Sequence, residues 1–123
     1  AGNHVASSYC YGTIRDWARF GLLYLNNGIF AGDTILPEGW VDFTRQEAPN
    51  SNGIYAGTFW LKESSPVNDL SDLPDDLYFA DGFLGQRVYI IPSKDIVIVR
   101  MGYSLKNFSL NNFLKDIIST LPD

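Results

Sequence analysis

The segment best suited to chemistry is a short glycine-containing turn that precedes the most apolar part of the chain. It runs from Ala80 to Gln86 (ADGFLGQ), and its glycines, Gly82 and Gly85, flank two large apolar residues. Glycine is favoured where a backbone turns sharply or comes close to another group. This turn stands directly before the most apolar strand pair of the sequence, so it is the first place to look for a functional site.

His4 and Cys10 are the only histidine and the only cysteine of the chain. One cysteine excludes an internal disulfide, and no other Cys or His stands at metal-ligand spacing from Cys10. We therefore predict a small buried thiol at Cys10. His4 is predicted to be a surface residue, because a Ser-His-Asp triad would need a nucleophile beside it. A nucleophilic pair of Cys10 with His4 is the alternative.

Four aspartates in the middle of the chain raise the question of a calcium site. They are Asp69, Asp72, Asp75 and Asp76. They lack the glycine and the glutamate of a loop built for calcium. We interpret them as solvated acids of a long surface loop, and the sequence predicts no metal site and no cofactor.

The elements that position the turn follow from apolar periodicity and from capping residues. A capping box, an apolar face and a final Asn-Gly predict a helix over about 13–26. A proline suited to a first helical turn predicts a short helix over 37–46. The other predicted elements are a loop over 48–53, strands over 55–62, 86–92 and 95–103, a long loop over 63–76, and an amphipathic helix over 108–121.

The two strands after the turn indicate the fold class. Val88 to Ile91 and Ile96 to Val99 are apolar at consecutive positions, which is typical of strands covered on both faces. The C-terminal helix can cover one face of a three-stranded antiparallel sheet, and the first helix part of the other. The prediction is an α+β fold with helices flanking that sheet. This cover is thin for a chain that is 15% aromatic, so we expect a segment of a larger parent fold.

Composition narrows the classes of partner. The 123 residues suffice for one domain, and 46% hydrophobic with 19% charged residues is typical of a globular protein. A net charge of −5 argues against nucleic acid or an anionic membrane surface as a partner. No apolar run is long enough to predict a membrane span.

Several segments in order, RDWARFG, ILPEGW, YAGTFWL and ADGFLGQRVYIIPSKDIVIVRMG, together resemble the C-terminal part of serine hydrolases of the β-lactamase superfamily. The branch they resemble contains class C β-lactamases, esterases and 6-aminohexanoate-dimer hydrolase, and it is related to penicillin-binding proteins. The resemblance covers about residues 7–120. It implies the C-terminal portion of a transpeptidase-like α+β fold and an acyl-enzyme mechanism.

The resemblance also implies roles for residues of the turn. In the family a Lys-Thr-Gly motif lines the site, and here Ala80, Asp81 and Gly82 would occupy its place. The backbone N–H of Phe83 would then be one of the two donors that stabilise the oxyanion, and Gly82 would let the backbone approach the substrate. Alanine in place of the lysine favours amide or ester hydrolysis over β-lactam hydrolysis.

Two further residues are candidates for substrate binding by the same resemblance. Gln86 either faces the cleft or bonds the neighbouring backbone. Tyr9, which precedes the first helix, would edge the cleft.

The family's nucleophile is missing from the chain. No Ser-x-x-Lys is present, and Tyr24-Leu25-Asn26 matches the family's Tyr-x-Asn motif only as a string, because residues two apart on a helix point in different directions. We therefore expect a segment that is inactive alone, whose parent protein binds a small amide or ester. Such a segment could self-associate through exposed sheet or pair with the missing N-terminal part. The resemblance favours a bacterial source and a periplasmic or secreted location.

Two other hypotheses stay open. The chain could be a non-catalytic binding or interaction module that uses the same cleft, in which case it should be a well-behaved monomer. It could also be a cysteine hydrolase that acts through Cys10, in which case a substrate should protect that thiol from alkylation.

Overall fold

A computed structural model of the chain describes residues 9–62, 70–103 and 108–122. The fold is α+β, with an antiparallel sheet flanked by helices, as predicted. The helices are α1 (Ile14–Leu25), α2 (Trp40–Arg45) and α3 (Leu110–Ser119); the strands are β1 (Ile29–Phe30), β2 (Asp33–Thr34), β3 (Trp60–Leu61), β4 (Tyr78–Asp81), β5 (Arg87–Ile91) and β6 (Ile96–Arg100). One sheet has the order β3-β4-β5-β6, with every neighbouring pair antiparallel, and β1 and β2 form a separate two-stranded hairpin.

Helix α1 forms as its sequence predicts. Thr13 and Asp16 make a complete capping box: the Asp16 N–H donates to the Thr13 hydroxyl at 3.2 Å, and the Thr13 N–H donates to the Asp16 carboxylate at 3.0 Å. The Thr13 hydroxyl also donates to the Asp16 carboxylate at 2.7 Å, and the hydrogen bonds that this carboxylate accepts from the Thr13 hydroxyl and N–H hold the pKa of Asp16 below its ordinary value. The helix ends before Asn27 and Gly28, which both have positive φ. Midway, Gly21 lets α1 pack closely on the sheet, because a Cβ atom there would overlap the Val97 side chain.

Both faces of the larger sheet are covered, which confirms the inference from the consecutive apolar residues of β5 and β6. On one face, Phe79, Tyr89 and Ile98 pack with Leu110 and Leu114 of α3. On the other face, buried residues of β4 and β5 pack with Phe59 and with aromatic residues of α1. The residues of this second core are Phe59, Tyr78, Val88 and Ile90, with Trp17, Phe20 and Tyr24 packed against them.

Two predicted elements differ in extent. The strand predicted over 55–62 is reduced to β3, because the Ala56 N–H donates to the Phe59 carbonyl and closes a tight turn. Gly57 in that turn packs against α2, where a Cβ atom would lie 3.1 Å from the Phe43 carbonyl oxygen. The helix predicted over 37–46 begins only at Trp40, because Gly39 before it is left-handed (φ 77°).

Strand β4 is absent from the sequence prediction, so the sheet has four strands rather than three. β4 pairs with β3 on one side and with β5 on the other. It is four residues long and lies between an aspartate-rich turn and the glycine-containing turn, which leaves too few positions for a strand pattern to show. In the described part of the chain, no helix is long and apolar enough to cross a bilayer.

Candidate functional site

The glycine-containing turn connects β4 to β5 at one end of the larger sheet. Gly82 is extended (φ −118°, ψ 176°), and its N–H donates to the Gln86 carbonyl oxygen at 2.7 Å, which closes the hairpin. A Cβ atom at Gly82 would lie 3.1 Å from that same oxygen. A side chain at this position would therefore be tight against the backbone of the hairpin. Gly85 instead has a φ of +83°, so it supplies the left-handed conformation with which the chain turns into β5.

The backbone at the tip of the turn has an uncommon conformation. Phe83 has a negative φ, whereas Leu84 (φ 56°, ψ 36°) and Gly85 are left-handed. A left-handed conformation costs a residue such as leucine roughly 1–2 kcal/mol, and strain of this kind tends to cluster at functional sites. A change from right-handed to left-handed backbone points successive N–H groups into one concavity that binds anions.

Two N–H groups of that concavity have no backbone acceptor in the described part of the chain. Within residues 9–62, 70–103 and 108–122, the backbone hydrogen bonds outside helices and strands include none from the N–H of Phe83 or Leu84. Outside the strands, the backbone-to-backbone hydrogen bonds described for residues 82–86 are that of the Gly82 N–H and one from the Gln86 N–H to the Phe83 carbonyl at 3.4 Å. The turn can therefore donate both hydrogen bonds to one negatively charged oxygen. We refer to residues 83–85 as the N–H turn.

Two side chains hold the N–H turn in place. The Arg100 guanidinium donates to the Gly85 carbonyl at 2.6 Å and also to the Gly102 carbonyl. The Gln86 side-chain amide donates to the Phe83 carbonyl at 3.1 Å. The Gln86 bond fixes the plane of the Phe83–Leu84 peptide, which carries the Leu84 N–H. The Arg100 bond fixes the Gly85–Gln86 peptide, where the turn passes into β5.

The side chain of Phe83 is 74% exposed and meets the 68% exposed ring of Tyr103 edge-on, with ring centroids 6.4 Å apart. Two exposed aromatic rings beside unused N–H donors form a surface that suits an apolar group attached to an oxygen.

The predicted substrate-binding residues of β4 contact the protein itself. Ala80 packs against the core beneath α1. The carboxylate of Asp81 accepts a hydrogen bond from the Arg87 side chain at 2.6 Å, and Arg87 also contacts the Tyr89 hydroxyl at 3.3 Å. Asp81 thus braces the hairpin at the base of the turn.

The other two substrate-binding candidates also have defined positions. Of the two predicted roles for Gln86, the structure shows the bond to neighbouring backbone, that of Phe83. Tyr9 is 80% exposed with a positive φ of 60°, and no ring contact or hydrogen bond joins it to the N–H turn among the described residues. Gly82, Phe83 and Gln86 thus share one turn, and the structure describes no ring contact or hydrogen bond that links Tyr9 to it.

The prediction for Cys10 is wrong: its thiol is exposed rather than buried. The two buried cores are formed by α1, α3 and the sheet. Cys10 precedes α1 along the chain and belongs to neither core. His4 lies outside the described residues, as does any pair that it would form with Cys10.

The aspartates considered for calcium make separate contacts. Asp72 pairs with Lys115 at 2.8 Å, Asp75 with Lys62 at 2.7 Å, and Asp76 accepts hydrogen bonds from Ser93. Asp69 lies outside the described residues. In the part of the chain that the structure describes, no three His, Cys, Asp or Glu side chains are grouped as metal ligands.

No protein-family model matches the chain, and no curated protein matches it significantly. The resemblance to β-lactamase-like hydrolases remains a prediction that depends on the quoted motifs.

Sequence reasoning missed two features of the site. The N–H group of Leu84 was overlooked because nothing in a leucine signals a left-handed conformation. Arg100 was overlooked as well, although a charged residue that ends the apolar run of β6 was a usable signal for a side chain that turns back to bind backbone.

Proposed function

We propose that this chain forms the oxyanion-binding edge of a serine hydrolase that cleaves amides or esters through an acyl-enzyme. The observation that carries the proposal is the set of unused N–H groups in the N–H turn, at the end of β4. The resemblance assigns the oxyanion donor to Phe83, which is the first residue of this turn.

The geometry suits acyl transfer because the charge of the tetrahedral intermediate develops on one oxygen. Preorganised backbone donors stabilise that charge without rearranging during the reaction. The Gln86 hydrogen bond to the Phe83 carbonyl orients the peptide that carries the Leu84 N–H, and the Arg100 bond to the Gly85 carbonyl holds the end of the turn. The exposed rings of Phe83 and Tyr103 would contact the apolar part of the acyl group.

The charges near the turn favour a neutral substrate. The Arg87 guanidinium is paired with Asp81, and the Arg100 guanidinium binds backbone carbonyls. Ala80 stands where the resembling family has a lysine. A substrate carboxylate would therefore find weak recognition here, which supports an amide or ester substrate over a β-lactam.

The 123 residues contain no Ser-x-x-Lys, so the nucleophile and its base would come from residues outside this sequence or from another chain. In that mechanism the serine hydroxyl attacks the carbonyl, the amine or alcohol leaves, and water releases the acyl group.

The test begins with the natural protein, captured from its source cells with an antibody against this segment. Its mass is measured, and the captured material is treated with a fluorophosphonate and with a fluorescent ester, each of which acylates or phosphorylates an activated serine. The proposal predicts a labelled serine within a Ser-x-x-Lys motif. A natural protein of 13.8 kDa in which no serine is labelled, alone or with a co-captured chain, would refute it and support the binding-module hypothesis.

A further inference from the structure

A second concave site lies at the opposite end of β4 from the N–H turn. It is a cleft of about 500 Å³ between the C-terminal part of α2 and the start of β4, a volume within the range of roughly 300–1,000 Å³ typical of small-molecule sites. Leu61 and Leu77 supply apolar surface to the cleft, and Asp42 and Arg45 supply charge. No step of the proposed hydrolase mechanism uses it.

Among the residues that the structure describes, two charged groups of the cleft form no ion pair. The Arg45 guanidinium lies over the Tyr78 ring, with its carbon 4.9 Å from the ring centroid. In residues 9–62, 70–103 and 108–122, no carboxylate lies within ion-pair distance of Arg45, and no side-chain donor bonds the Asp42 carboxylate. Arg45 and Asp42 are three residues apart on α2, so their side chains emerge from the same part of the helix surface.

The other charges of the cleft are already engaged. Lys62 binds Asp75 at 2.7 Å, and this hydrogen bond holds the pKa of Asp75 below its ordinary value. Asp76 accepts hydrogen bonds from the Ser93 N–H at 2.6 Å and from the Ser93 hydroxyl at 2.8 Å. The contrast singles out Arg45 and Asp42 as the groups that remain open to a ligand.

A buried hydroxyl adds an independent observation. Tyr78 is 1% exposed, and its hydroxyl has no hydrogen-bond partner among the described residues. Burial raises the pKa of Tyr78 to about 12. Tyr78 thus lines the cleft with the Arg45 guanidinium over its ring, and its buried hydroxyl has no partner among the described residues.

We propose that this cleft binds a small zwitterion, a molecule with a carboxylate and an ammonium group a few atoms apart. The carboxylate pairs with the Arg45 guanidinium, whose planar fork suits bidentate binding. The ammonium group faces Asp42, and the short carbon chain between the two groups contacts Leu61 and Leu77.

The balance of charge selects a zwitterion over a simple ion. Three aspartates and two basic residues line the cleft, so an anion without an ammonium group would be repelled by the aspartates that lack a cation of their own. An amine without a carboxylate would leave the half-buried Arg45 unpaired. Only a ligand with both charges satisfies both groups.

Three probes of matched length separate these possibilities: 4-aminobutanoate carries both charges, butanoate only the carboxylate, and butylamine only the ammonium group. Each is titrated into the ¹⁵N-labelled 123-residue chain while amide chemical shifts are recorded. We expect 4-aminobutanoate to shift the amides of Leu61, Leu77 and Tyr78 saturably. Its Kd should be about tenfold or more below that of either single-charge probe.

Matched variants locate the binding. Arg45→Gln should weaken 4-aminobutanoate to the level of butylamine, and Asp42→Asn to the level of butanoate. Asp42 is exposed, so its variant should fold even if Arg45→Gln does not. Arg19→Gln is the control, since Arg19 is an exposed residue of α1 paired with Asp16, and it should leave the Kd unchanged.

Equal affinity for the three probes, an unchanged Kd in Asp42→Asn, or shifts confined to the N–H turn would each overturn the proposal. The cleft and the N–H turn are probed by different amides. A negative result for the cleft therefore does not refute the hydrolase proposal, and a negative result for the hydrolase does not refute binding in the cleft.

Discussion

The two ends of β4 present two different kinds of site. At the Gly82 end, the groups open to a ligand are backbone N–H groups, and the side chains there brace the turn. At the Tyr78 end, the open groups are the side chains of Arg45 and Asp42, and the backbone is paired in the sheet. The four-residue strand β4 thus separates two kinds of site. The site at the Gly82 end depends on backbone conformation, and the site at the Tyr78 end depends on which side chains are present.

This difference between the two ends predicts which substitutions each site should tolerate. A site built from N–H groups survives the loss of a side chain on a donor residue, such as that of Phe83, but fails when φ changes or when a donor is removed. A site built from charged side chains has the opposite sensitivity. The predictions below test this contrast, beginning with the largest expected effect.

Phe83→Pro removes the N–H that the proposed function uses and should cost the natural hydrolase about 10²–10³-fold in kcat, the usual effect of losing one oxyanion donor. Phe83→Ala keeps the N–H and should leave kcat close to that of the unchanged protein. The measurement is kcat for hydrolysis of a p-nitrophenyl ester by each variant.

Proline should fit at this position. The Phe83 N–H has no partner in the described chain, Phe83 has a negative φ, and the preceding Gly82 is extended, the conformation that a following proline requires. Circular dichroism and Tm check that the fold is kept. A proline variant that folds and retains full kcat would show that the oxyanion is not bound by Phe83.

At the other end of β4, we expect the stability of the fold to depend on the Tyr78 side chain and on the pH. Burial raises the pKa of Tyr78 from 10 to about 12, so the unfolded chain loses this proton at lower pH than the folded chain. The associated stability is fully present below pH 10 and is lost as the pH rises towards 12. At about 1.4 kcal/mol per pKa unit, the loss is roughly 2–3 kcal/mol.

Tyr78→Phe should flatten this part of the stability profile, measured by urea unfolding at several pH values between 9 and 12. Burial also raises the pKa of Tyr89, so part of the decline should persist. Tyr11→Phe is the control, since the Tyr11 side chain is exposed. An identical decline in Tyr78→Phe and in the unchanged chain would contradict the burial of an unpaired hydroxyl at Tyr78.

The sequence predicted best what depends on neighbouring residues. The capping box of Thr13 and Asp16, the stop at Gly28 and the amphipathic C-terminal helix are all local patterns, and each formed where expected. The two-sided burial of β5 and β6 also followed from a local pattern, because apolar residues at consecutive positions leave no face of the strand for water.

The features that sequence reasoning missed depend on distant segments or on backbone angles. The cleft joins α2, β3 and β4, and no local pattern connects Asp42 and Arg45 to Tyr78. The left-handed Leu84 is followed by Gly85, whose carbonyl accepts a hydrogen bond from Arg100, 15 residues further along the chain. The glycines marked where the turn would be, but not which N–H groups it would leave unused.

The smallest expected effect tests whether backbone conformation alone holds the N–H turn. Gly85→Ala places a side chain at a φ of +83°, which should lower the free energy of unfolding by about 1–2 kcal/mol. Gly85→Asn adds the same Cβ atom, 3.1 Å from the Arg100 guanidinium, but asparagine tolerates left-handed backbone better. If the cost arises from φ, urea unfolding should show a smaller loss for asparagine than for alanine. Equal losses would assign the cost to crowding of Arg100 instead, and the turn would then depend on a side chain, as the Tyr78 end does.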